Sequence, residues 1–152
     1  MGREVIEMQK NTSSTEEEFF LQSMNVEKVF AFLDRTDYFF LYNIRKCIDA
    51  SELEDGVYLS ELAEVMGLPM AKISATVKKL QEKGYVSWKT DMKEERTFIT
   101  LTSSAKDLME RQKQHMIRAY EKIAANVSKE ELEAAKQTMS KIRGLIEEAA
   151  RE

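Results

Sequence analysis

Chemistry-bearing side chains are scarce in this chain of 152 residues, which holds one cysteine, Cys47, and one histidine, His115. A lone thiol closes no disulfide within the chain and fits a reducing compartment. One thiol and one imidazole leave thiolate–imidazole metal clusters and Ser–His or Cys–His catalytic units almost no material. The five glycines, Gly2, Gly56, Gly67, Gly84 and Gly144, are isolated from one another, which excludes a glycine-rich phosphate loop. No apolar run approaches the ~20 residues of a membrane span, and the N-terminus lacks an apolar signal core. The expectation is a cytoplasmic protein with no membrane partner, no cofactor, no metal and no enzymatic site.

What the chain does have is charge, 33% of its residues, unevenly distributed around a net of −4. Residues 1–35 sum to −3 and residues 36–68 to −5. Residues 69–96 sum to +3, through Lys72, Lys78, Lys79, Lys83, Lys89, Lys93 and Arg96, and residues 97–152 to +1. One basic island in an acidic chain is the asymmetry expected when a single face meets phosphates.

The order of local signals predicts a mainly α protein with a small β-hairpin. Residues 1–13 read as a mobile tail. Over 14–50, caps at Ser14 and Thr15, at Asn25 and at Thr36 predict three helical segments, the last with Tyr38, Phe39, Leu41, Tyr42, Ile44 and Ile48 on a broad apolar face. A polar acidic turn leads to a short β-type run at Val57–Tyr58–Leu59, and Ser60 can cap a brief helix closed by Gly67. Pro69, the only proline, sits where the next helix begins, and that helix runs to about Lys83 with Ile73, Val77 and Leu80 on one face. Gly84 stops it.

Two strand-like runs, 85–89 and 97–101, flank a polar turn, so residues 57–102 read as a helix-turn-helix followed by a winged hairpin. From 103 to 152 the pattern is two long helices, separated by the capping box Ser128–Lys129–Glu130–Glu131. Leu108, Met116, Tyr120 and Ile123 recur at helical spacing in the first. Leu132, Ala135, Met139, Ile142, Ile146 and Ala149 stripe the second at near-heptad steps. Such a stripe packs either on its own domain or, as preferred here, on a second copy of the chain, the helices before 50 and after 102 forming a shared platform.

The central residues Leu59–Ser60–Glu61–Leu62–Ala63, Ile73–Ser74, Val77, Leu80, Lys83–Gly84–Tyr85–Val86 and Arg96–Thr97–Phe98–Ile99–Thr100–Leu101–Thr102 resemble the MarR family of bacterial transcription regulators. The resemblance is close over roughly the 45 central residues, and elsewhere rests on the length and placement of helices. It implies a homodimeric winged-helix repressor whose recognition helices enter successive major grooves of pseudo-palindromic double-stranded DNA, with wings reaching the flanking minor grooves. It also implies release by a small, often aromatic, effector. The chain departs from the family pattern in the wing, where Lys93 and Glu95 stand at positions usually held by Asp and Arg and Trp88 stands where a basic residue is common. Ala105 replaces a usual glycine.

On this reading the DNA-facing residues are Met70, Ala71, Lys72, Ser74, Ala75 and Lys78 of the recognition helix, small enough or polar enough to approach base edges. Lys78, Lys79, Lys89 and Lys93 suit phosphate pairing more than base reading. Arg96 is either a minor-groove probe or a partner of Glu94 or Asp91 that shapes the hairpin. Trp88 is expected to pack across the hairpin and Cys47 to be a small buried hydrophobe. Tyr38, Phe39 and Tyr42 are candidates for an effector pocket, although an aromatic stripe at helical spacing is more often core, and core is the favoured reading. The alternatives to a DNA-binding repressor are a winged-helix interaction module without DNA affinity and a ligand sensor dominated by its pocket.

Overall fold

The computed structural model describes residues 15–22 and 25–152. The expected tail at 1–13 and the cap at Ser14 lie outside the described residues. Helix α1 spans Glu16–Gln22, and Thr15 starts it by accepting the Glu18 amide at 3.3 Å. Three glutamates in that first turn complement the positive end of the helix dipole.

Two expected starts move. Asn25 precedes only a single 3-10 turn, Val26–Val29, and makes no side-chain cap bond, so the second expected helical segment is reduced to that turn. Helix α2, Arg35–Ala50, is capped by Asp34, not by Thr36; the Asp34 carboxylate accepts the Asp37 amide at 2.8 Å. A carboxylate two residues earlier outcompetes the hydroxyl because it is the stronger acceptor and also meets the helix dipole.

Strand β1 is Val57–Tyr58, and α3, Leu59–Met66, follows without a break. Ser60 therefore falls inside the first turn of α3 and leaves its hydroxyl free for another partner. Gly67 closes α3 in the left-handed conformation (φ +63°), where a glycine avoids the Cβ penalty. Helix α4, Met70–Glu82, begins after Pro69, and Gly84 at φ +82° turns the chain into the hairpin. Strands β2, Val86–Asp91, and β3, Arg96–Leu101, pair antiparallel, and β1 adds to the other edge of β3, giving the order β1-β3-β2. The pairing of Tyr58 with Phe98 and of Trp88 with Ile99 carries the sheet across the base of the wing.

The apolar faces of the helix-turn-helix, and part of that of α2, are interior. Leu41 and Ile44 of α2, Leu62 of α3, Ile73, Val77 and Leu80 of α4, and Val57 and Ile99 of the sheet are at most 1% exposed. Each such side chain contributes about 1.5–3 kcal/mol through burial, which anchors the helix-turn-helix to α2 and the sheet. Cys47 is buried as expected, and burial raises its thiol above the ordinary range, away from the reactive thiolate.

Helix α5, Ser103–Asn126, starts at Thr102, whose hydroxyl accepts the Ala105 amide at 3.1 Å. Its buried face runs Ala105, Met109, Gln112, so a polar side chain occupies an apolar register. Gln112 is wholly buried; its Oε1 accepts the Phe32 amide at 3.0 Å and the Leu33 amide at 3.4 Å, and its Nε2 donates to the Val29 carbonyl at 2.8 Å. That amide ties the irregular segment after the 3-10 turn to α5. Helix α6, Lys129–Ala149, opens with the full capping box at Ser128 and Glu131 and buries no residue. Met139, Leu145 and Ile146 of α6, with Ile117, Tyr120 and Ile123 of α5, stay open to solvent in the single chain.

Candidate nucleic-acid interface

Because Ile73, Val77 and Leu80 point into the core, helical geometry turns the remaining faces of α4 outward. Met70, Ala71, Lys72, Ala75, Lys78 and Lys79 are exposed, and Ser74 is half-buried at the edge. Lys89, Lys93 and Arg96 are likewise exposed on the hairpin. The cations of the basic island thus lie on solvent-facing positions of two elements that the fold joins through β2.

The structure brings together only some of them. A cleft of about 370 Å³ is lined by Leu59, Ser60, Met70, Ser74, Trp88, Arg96 and Thr97, joining the starts of α3 and α4 to the strands of the hairpin. Lys93 lies elsewhere, beside a second hollow of about 360 Å³ shared with Tyr58, Asp91, Glu94 and Arg96. Lys72, Lys78, Lys79 and Lys89 border neither. Trp88 packs partly against the core, as expected of a residue paired across the hairpin with Ile99, while one side of it faces the cleft.

The ion-pair reading of Arg96 does not hold: it makes no ion pair with Glu94 or Asp91 among the described residues. Instead its guanidinium lies 3.7 Å from the centroid of the Tyr58 ring and its Nη2 donates to Ser60 Oγ at 2.7 Å. Tyr58 Oη in turn donates to Asp91 Oδ2 at 2.8 Å, while Asp91 Oδ1 accepts the Lys93 and Glu94 amides and so closes the wing turn. These bonds hold the Asp91 carboxyl below its ordinary range and raise the Tyr58 phenol above its own. Glu95 takes up the left-handed conformation in that turn, at φ +52°.

The aromatic stripe of α2 also departs from expectation. Tyr38 packs partly on the core, but Phe39 is 57% and Tyr42 42% exposed. All three line a cavity of about 600 Å³ with Glu27, Phe30, Arg35, Thr36 and Met116. Tyr38 and Tyr42 stack at 6.4 Å, and burial raises the Tyr38 phenol above its usual value. The aromatics are therefore pocket walls more than core, because α5 and the 3-10 turn leave this side of α2 uncovered. Tyr58, Ser60 and Gln112 were not among the candidate site residues read from sequence, where Ser60 figured only as a helix cap and in the family pattern. Gln112 does carry a signal, since it falls in the Ala105–Met109–Gln112–Met116 register, whereas the roles of Tyr58 and Ser60 arise only from long-range pairing.

The fold is that of the MarR-type winged-helix regulators. An S. aureus MepR–DNA complex superposes with a TM-score of 0.62 at 17% identity, covering 88% of this chain and 98% of the other. A mutant MarR from E. coli complexed with operator DNA gives 0.58 at 15% identity, over 93% and 91% of the two chains. The organohalide-sensing transcriptional regulator RdhR, in its 2,4-dichlorophenol-bound form, gives 0.58 at 19% identity, over 78% and 68%. No family model matches the sequence, and a search of curated proteins finds no match.

Proposed function

We propose that the chain is a transcription regulator that binds pseudo-palindromic duplex DNA as a homodimer and represses the genes beside its site. The observation that carries this reading is the outer face of α4, where small side chains and lysines surround the first turns of a helix whose opposite face is locked into the core. Helices α5 and α6 supply the dimer platform, since apolar side chains that one chain leaves in water are what a second copy would cover. The likeness to MepR and MarR in complexes with DNA supports the reading. In a bacterial cytoplasm, a small aromatic effector would enter the cavity walled by Tyr38, Phe39 and Tyr42 and release the DNA.

The test is selection of duplexes from a random pool by the purified protein, followed by binding across a salt series. A palindromic motif should emerge, and affinity should fall steeply, by roughly 10³–10⁵ between ~50 and ~200 mM salt for about 6–10 phosphate contacts. Lys72→Ala should relax the motif rather than abolish binding. Salt-independent binding, or no enrichment, would refute the proposal. The latter would favour an interaction module, a reading to which the exposed Glu94 and Glu95 of the wing tip lend some support.

A further inference from the structure

The wing's arginine begins β3, opposite Asp91 in the last pair before the turn, yet its side chain is held back against the start of α3. The turn between β2 and β3 holds Met92, Lys93, Glu94 and Glu95, all exposed and together net negative, a composition that repels the minor groove it would enter. Arg96 follows that turn, its side chain drawn toward the start of α3 by the Ser60 bond and the Tyr58 ring. That ring cannot swing away with the arginine. It is 8% exposed, its edge meets Phe98 at 6.5 Å and 81°, and its hydroxyl is tied to Asp91, the residue that also closes the turn. A guanidinium has five N–H donors in a planar fork, and the Ser60 bond uses one edge, leaving others turned to solvent in the cleft beside Met70 and Ser74.

We propose that Tyr58 is a positioning residue that holds the Arg96 side chain against the start of α3, so that Arg96 meets a backbone phosphate of the strand crossing between α4 and the hairpin and does not probe the minor groove. The inference rests on the DNA-binding reading above and deepens it. Arginine suits the task because its fork matches two phosphate oxygens at once. Stacking on a fixed ring removes rotamer freedom that a free arginine would otherwise lose on contact.

The experiment uses the full chain and a labelled mixed-sequence duplex long enough for two half-sites, titrated by fluorescence anisotropy over a range of salt. Each lost phosphate contact lowers the log–log salt slope by about 0.9, so Arg96→Ala should lower it by about 2 per dimer. Tyr58→Leu should lower it by nearly as much although it removes no charge, a change that loss of packing alone would not produce. Tyr58→Phe keeps the ring and should restore most of the slope, and combining Tyr58→Leu with Arg96→Ala should add little. Because Tyr58 is buried, the free wild-type protein provides a second measurement: the Arg96 Nε–H proton should resonate upfield of a free arginine, through the ring current. A wild-type slope in Tyr58→Leu, or an unshifted Arg96 resonance, would overturn the assignment while leaving DNA binding intact. Loss of A·T preference in Arg96→Ala at an unchanged slope would overturn it in favour of minor-groove contact. Absence of any duplex binding by the wild type would overturn the DNA-binding reading and this assignment together.

Discussion

Replacing Gln112 by leucine keeps the volume of the side chain and removes its three hydrogen bonds. The Val29 carbonyl loses a donor at 2.8 Å, and the Phe32 and Leu33 amides lose an acceptor at 3.0 and 3.4 Å. Gln112 is wholly buried and so is its bond to Leu33, while the Phe32 and Val29 groups are part-buried and keep some access to water. An orphaned buried group costs about 1–3 kcal/mol, offset in part by the more apolar side chain. Discounting the two part-buried groups and the long Leu33 bond gives an expected loss of about 1–3 kcal/mol. For a chain of this size that is a fall in Tm of roughly 2–12 °C.

Urea unfolding at one fixed protein concentration measures the loss, which keeps any self-association equal between variant and wild type. Hydrogen exchange locates it: the Phe32 and Leu33 amides should lose protection more than those of α4. The same variant should loosen the cavity wall at Phe30, one residue from Val29. A loss under about 0.5 kcal/mol, with Phe32 and Leu33 still protected, would refute the claim that Gln112 pins this segment.

Two further outcomes follow from the backbone and the wing. Gly84 has open space around its Cα and a φ of +82°, so Gly84→Ala should cost about 1–2 kcal/mol through backbone strain alone, and Gly84→Asn less, in a thermal melt. The Tyr58–Asp91 bond sets a pH window for the wing turn, which Lys93, Glu94 and Arg96 also face. A carboxyl held below its ordinary value stabilises the fold above that value and loses the contribution as pH falls through the lowered one; a phenol raised above its ordinary value loses its contribution as pH rises past the raised one. The protection of the Lys93 and Glu94 amides, taken against free-peptide exchange at each pH, should therefore hold between the ordinary aspartate and tyrosine ranges and fall outside them. In Tyr58→Phe the acid limb should shift upward, toward the value of an ordinary aspartate; an unmoved limb would count against the bond.

Much of the helix-turn-helix and its hairpin was legible because the signals are local. Gly67, Pro69 and Gly84 punctuate α3 and α4 through backbone geometry that no distant contact alters. The Ile73–Val77–Leu80 face fixed which side of α4 points outward, and with it the exposure of Lys72, Lys78 and Lys79. The capping box at Ser128 was equally plain, since hydroxyl and carboxylate meet within one turn. Caps chosen by competition were not. Asp34 displaced Thr36, and Tyr58 leads straight from β1 into α3 where Ser60 had the sequence of a cap.

The sequence by itself determined the order of elements, the inward and outward faces of α4 and the basic island, because each depends on periodicity, propensity or composition within a few residues. Only the tertiary structure decided where Arg96 goes. Its partners, Tyr58 and Ser60, lie 38 and 36 positions away and are brought to it by the pairing of β1 with β3, a register that no local pattern encodes. The aromatics of α2 became cavity walls for the same reason: whether a stripe is covered depends on where α5 and the 3-10 turn come to rest.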